Sequence, residues 1–148
     1  MTDLDAIGRT CFALHARMTA RLLSRTYESA LRPLGLKLPQ FGILGAIAHG
    51  GTAGATVSET VLAEKLGLER TTLVRNLKIL AQNGWIEPIP GRGRGLRHRL
   101  TPAGQELLNA AIPLWQEAQD RLAARLSGIE AQEALRGMRA LRKAAYTA

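Results

Sequence analysis

Residues 62–80, LAEKLGLERTTLVRNLKIL, and the basic stretch that soon follows, GRGRGLRHRL at 91–100, decide how this chain is read. The first carries two short amphipathic segments meeting at a tight turn. Two crossing helices need a small side chain at the crossing and, in the turn, a residue tolerant of unusual backbone angles. Ala63 and Gly67, four apart, supply these. Leu62, Leu66 and Leu73 would hold the pair together. From about Glu69 to Asn83, Leu73, Leu77 and Leu80 cluster on one side of a helix. Thr71, Thr72, Arg75 and Lys78 fall around the other, with Arg75 near its centre. Asn83-Gly84 supplies a C-terminal stop.

The second stretch predicts a hairpin. Residues 85–89 and 96–100 read as short strands around a glycine-rich turn, and Arg97 and Arg99 alternate with Leu96, His98 and Leu100. Gly91, Gly93 and Gly95 would let backbone approach a groove closely, and Arg92 and Arg94 suit a narrow minor groove. Thr71 and Thr72 open the preceding helix, where hydroxyls and free backbone N–H groups contact phosphate. Arg75 comes one turn later, within reach of a base edge, where a guanidinium pairs with guanine at about 1–3 kcal/mol of discrimination. Asn76, at the border of the exposed face, is a weaker candidate.

Composition agrees with a helical, polyanion-binding module. The chain has 148 residues, 46% of them hydrophobic but only 4% aromatic, so its core is aliphatic, mostly Leu and Ala, and favours helices. The formal net charge is +8. Residues 70–104 hold seven basic side chains against the single acid Glu87, so most of the excess charge sits on one segment. A membrane surface is the poorer partner, because the segment contains a glycine-rich turn and is no continuous amphipathic helix. No apolar run reaches the length of a transmembrane helix, and no signal-peptide pattern opens the chain. The only cysteine, Cys11, cannot form an intrachain disulfide, and a cytoplasmic location is expected.

Outside this module the pattern is of long helices. Ile7, Cys11, Leu14, Met18 and Leu22 recur at steps of three and four and predict one helix over 4–32, ended by Pro33 and Gly35. Such a length exceeds what a small domain can cover and points to a partner chain. Pro39 suits the first turn of the next helix, Phe41, Leu44 and Ile47 its buried face, and Gly50-Gly51 its end. Thr56 and Ser58 are equally good N-caps for the next helix, whose buried face is expected to be Val61, Leu62 and Leu66. Thr101-Pro102 caps and starts another helix, which Pro113 should kink. Ser127-Gly128 separates it from a last helix with Leu135, Met138 and Leu141.

In this order the segments resemble the MarR family of winged helix-turn-helix regulators. The resemblance rests on LGLKLPQFGIL (34–44), LAEKLGLERTTLVRNLKILAQNGWIE (62–87) and RLTPAGQELL (99–108), and spans nearly the whole chain. It implies a mainly α fold with a small β-wing (α+β), a single domain over 1–148. Helices at about 4–33 and 103–148 would dimerise, and about 38–101 would form the winged helix-turn-helix, with the wing at about 85–100. It further implies a homodimer that places recognition helices in successive major grooves of a pseudo-palindromic operator in double-stranded DNA, with wings in the flanking minor grooves. A repressor released by a small, often phenolic, ligand is the implied function, with no cofactor. One position departs from the family's wing, which commonly reads Asp-x-Arg. Arg94 matches the Arg, but Arg92 occupies the Asp position, so charge outweighs geometry in this wing.

Two alternatives stand beside this reading. Cys11 begins CFAL, similar to the LCFxLY of the family's organic-peroxide sensors, whose helix-one cysteine is oxidised. Tyr27 matches one tyrosine of that network, whereas His15 and Leu38 occupy the places of others. A buried, inert thiol is the plainer reading of Cys11. The other alternative is a helical dimeric scaffold whose basic face meets a protein. Cys11 and His15 are too few for a metal site, and no nucleophile, base and orienting group stand together, so no enzyme is expected.

Overall fold

The computed structural model describes residues 3–53, 59–89 and 98–147. In chain order they form α1 (Asp3–Thr10), α2 (Phe12–Leu31), a 3-10 turn (Arg32–Leu34), α3 (Leu38–Ala53), α4 (Glu59–Leu66) and α5 (Arg70–Gln82). The hairpin β1 (Ile86–Pro88) and β2 (His98–Leu100) follows, then α6 (Pro102–Ala123) and α7 (Gly128–Thr147). The strands are antiparallel, with Ile86 opposite Leu100 and Pro88 opposite His98. The architecture is thus helical with one small hairpin, as expected.

The core lies where α3, α4 and α5 meet the root of the hairpin. Ile43, Leu44, Leu62, Ala63, Leu73, Leu77, Leu80 and Ile86 are buried there, Leu31, Leu108 and Ala111 close it from the flanking helices, and Leu36 closes it from the α2–α3 connection. Phe41 stacks on Trp115 at 6.2 Å between ring centres and ties α3 to α6. Val61, expected inside, is exposed on α4. Its neighbour Leu62 takes the buried direction, because adjacent helical residues diverge by about 100°.

Three elements end in the same way. Gly35, Gly67 and Gly84 have φ of 65°, 63° and 72°. At the last two, the amides of Leu68 and Trp85 reach back to the Ala63 and Leu80 carbonyls, while those of Gly67 and Gly84 reach Glu64 and Ala81. This doubled bond needs left-handed backbone, which glycine adopts without a Cβ clash. Gly50-Gly51, by contrast, is no terminator, since α3 continues to Ala53. Glycine weakens a helix by about 1 kcal/mol without forbidding it.

The single helix expected over 4–32 is also corrected. It breaks at Cys11, whose ψ is 109°. Just before the break, Thr10 Oγ1 donates to the Ala6 carbonyl at 2.7 Å. Such back-bonding competes with the helical ladder and bends it. At α6, Thr101 is the expected N-cap, its hydroxyl accepting from the Gly104 amide at 3.0 Å. Pro113 leaves α6 continuous at the level of residues. It and Asn109, whose carbonyl loses its ladder partner, both lie on the exposed side. A capping box opens α7: the Ser127 amide donates to Glu130 and the Glu130 amide to Ser127 Oγ. The Ser127 amide, and after it the Ser127 side chain, holds the Glu130 carboxyl below its ordinary pKa.

Little of α1, the first half of α2 and α7 is covered by the rest of the described chain. Leu4, Ile7, Phe12, Leu14, Met18 and Leu22 are exposed, and so are Ile129, Leu135, Met138 and Leu141. Of the described α7 side chains only Ala131 is even half-buried.

Candidate nucleic-acid interface

Helix α5 stands with Leu73, Leu77 and Leu80 in the core, which turns its other side outward. Thr71, Arg75 and Lys78 are exposed on that side, and Thr72 is half-buried beside them. The N-cap Glu69 makes no side-chain capping bond. The first backbone N–H groups of α5 therefore remain open to an anion at an exposed helix start.

The cations of this surface fall into two groups. Arg70 pairs with Glu59 at 3.4 Å across the helix-turn-helix, and Arg99 pairs with Glu87 at 2.7 Å across the hairpin. Arg75 and Lys78 have no ion-pair partner among the described residues. The charge that remains unneutralised on α5 is thus at the centre of its outward face. The wing arginines Arg92, Arg94 and Arg97 lie outside the described residues, as do Thr56 and Ser58.

Asn76 faces inward more than its place in the helix suggested. Its Nδ2 donates to the Thr72 carbonyl at 2.9 Å, and its Oδ1 accepts from Gln40 Nε2 at 3.3 Å. Gln40, on the first turn of α3, is 6% exposed. Its Oε1 accepts from the Lys37 amide at 3.0 Å. The sequence reading gave Gln40 no role. Its position three residues after Lys37, at a helix start, was the available signal, because a glutamine there reaches back to cap the N-terminus.

The hairpin is fastened to both neighbouring helices. Thr101 Oγ1 donates to the Gly84 carbonyl at 2.6 Å, and the Thr101 amide to the Trp85 carbonyl at 3.1 Å. Gly104 packs so closely that a Cβ on it would stand 1.9 Å from the Trp85 carbonyl oxygen. His98 sits at the root of the wing with Nδ1 buried and without a hydrogen-bond partner among the described residues. Burial lowers its pKa, and the Glu59 carboxylate opposes that shift.

Cys11 is half-buried at the break between α1 and α2. Tyr27 lies sixteen residues further on, roughly 24 Å along a helix, so it does not reach the Cys11 of its own chain. Its hydroxyl donates instead to Gln119 Oε1 of α6, and burial raises its pKa. Among the described residues, no helix is long and apolar enough to cross a membrane.

Comparison with known proteins places the molecule. A model of the MarR family matches residues 34–95. The crystal structure of the M. tuberculosis transcriptional regulator MosR is 32% identical, with a TM-score of 0.82, over 95% of this chain and 98% of that one. MosR in complex with DNA is 34% identical, with a TM-score of 0.78, over 93% and 98%. An M. tuberculosis MarR family protein in complex with salicylic acid is 25% identical, with a TM-score of 0.69, over 89% and 96%. Among curated proteins no match was found.

Proposed function

Because the chain belongs to the MarR family, whose members are DNA-binding regulators and not enzymes, we propose that it is a homodimeric repressor that reads a pseudo-palindromic operator and is released by a small ligand. The observation that carries the reading is the outward face of α5, where Arg75 and Lys78 stand without ion-pair partners among the described residues, beside Thr71 and an uncapped helix start. Arg75 reads a base edge, Thr71 and Thr72 clamp backbone phosphate, and Lys78 neutralises a second phosphate. Asn76 stands behind them. Arg92, Arg94 and Arg97 of the wing add charge over the minor groove. The complex of MosR with DNA supports this assignment.

Dimerisation follows from α1, α2 and α7, which carry most of the exposed large apolar side chains among the described residues. The effector is a small aromatic or phenolic acid, a class supported by the similar protein bound to salicylic acid. Oxidation of Cys11 is a second input, favoured by its place at the break between α1 and α2. An electrophoretic shift on the DNA flanking the protein's own gene, with and without salicylate or an organic peroxide, tests all three. Absence of any shift at low salt would sink the DNA assignment. Release by peroxide in a Cys11→Ser protein would remove the redox input.

A further inference from the structure

Gln40 is the buried polar side chain among the described residues, and both ends of its amide are used on different elements. Its Oε1 holds the Lys37 amide, just beyond the 3-10 turn that joins the arm helix α2 to α3. Its Nε2 holds Asn76 Oδ1, halfway along α5. Asn76 is in turn tethered through Nδ2 to the Thr72 carbonyl one turn earlier, which fixes the direction of its own amide. The other buried residues of these two helices, among those described, are aliphatic: Ile43, Leu44, Ile47, Leu73, Leu77 and Leu80. Such packing tolerates small rotations of one helix on another, because it is not directional. A directional amide pair tolerates less, because turning α5 about its axis stretches the bond from buried Gln40 to half-buried Asn76 and costs the buried donor its acceptor.

We propose that Gln40 is a positioning residue for DNA reading: through Asn76 it sets the rotation of α5 relative to α3 and the α2–α3 junction, and so the direction in which Arg75 faces. The proposal rests on α5 being the DNA-reading helix. Gln40 itself touches no DNA. Its loss leaves the overall charge of the surface unchanged and misdirects the base-reading side chain, so it lowers discrimination and spares phosphate attraction.

The test starts by selecting a preferred duplex from a random-core pool with the full-length wild-type protein. Fluorescence anisotropy then compares wild type, Gln40→Met, Asn76→Ala and the double variant on that duplex and on a scrambled duplex of equal length. Gln40→Met should lose about tenfold on the preferred duplex, equivalent to about 1.4 kcal/mol, and less than about twofold on the scrambled one. The double variant should be no weaker than the weaker single variant, since both break one link. Gln40→Glu keeps an acceptor for the Lys37 amide and removes the donor to Asn76, so it should lose discrimination as Gln40→Met does, even where Gln40→Met folds poorly. A fall in melting temperature with an unchanged ratio of preferred to scrambled affinity overturns the proposal, as do additive losses. If wild type enriches no duplex, the DNA-reading assignment of α5 fails and takes the proposal with it. Enrichment with an unaltered ratio in both Gln40 variants removes the proposal alone.

Discussion

Gly104 is held by sterics, and the consequence is measurable. A methyl group there would stand 1.9 Å from a backbone oxygen that is already hydrogen-bonded to the Thr101 amide. Neither the strand root nor the helix start can yield without losing that bond, so Gly104→Ala should destabilise by about 2 kcal/mol or more. Gly8→Ala, whose Cβ meets nothing within 4 Å, should not. Urea unfolding of the two proteins checks the difference. His98 makes a prediction in pH. Burial lowers its pKa in the folded chain below the ordinary 6.5, so the unfolded chain binds the proton first as pH falls. Its contribution is fully present above about pH 6.5 and is lost progressively as pH falls from there toward the folded-state pKa. Thermal melts between about pH 8 and pH 5 should therefore flatten in His98→Gln relative to wild type. An equally steep decline in the variant would assign the loss to other groups.

At the scale of elements, the proposed binding surface is shared between α5 and the wing. Arg75→Ala should relax base preference, at a cost of about 1–3 kcal/mol on the preferred duplex, whereas Arg94→Ala should weaken all duplexes more evenly. Binding to a panel of single-base operator variants separates the two patterns. Much of this layout was legible in the sequence. Gly67 and Gly84 mark turns because their backbone angles exclude other residues, and Thr101-Pro102 marks a helix start by its own hydroxyl. Leu73, Leu77 and Leu80 show the buried face of α5 by spacing alone. Gly50-Gly51 misled, because glycine only lowers helix stability and neighbouring α3 residues hold the segment. Val61 misled too, because short helices leave the direction of their apolar face to the partner. The Gln40–Asn76 bond was invisible, since its halves are 36 residues apart and each is polar on a helix whose pattern assigns polar residues to solvent.

On the scale of the molecule, the folded core accounts for α3 to α6 and leaves α1, α2 and α7 with apolar sides uncovered. A charge placed there, as in Met138→Glu or Leu135→Asp, should split the proposed dimer, lower the melting temperature and remove its dependence on protein concentration. Light scattering across a dilution series reads the mass, and unchanged mass would remove these residues from the interface. Operator binding should also fall by orders of magnitude between low and moderate salt, because several phosphates are neutralised in each half-site. The junction where Thr101 and Gly104 grip Gly84 and Trp85 has one more effect. It clamps the far end of α5, and the 13 residues of that helix then extend as a lever roughly 20 Å long. A tilt of roughly 10° at the clamp swings the tip by about 3.5 Å, close to the spacing of one base-pair step along the duplex. A tilt of that size would have to carry the buried Leu73, Leu77 and Leu80 with it, so this junction and the core together set the angle of the proposed reading helix.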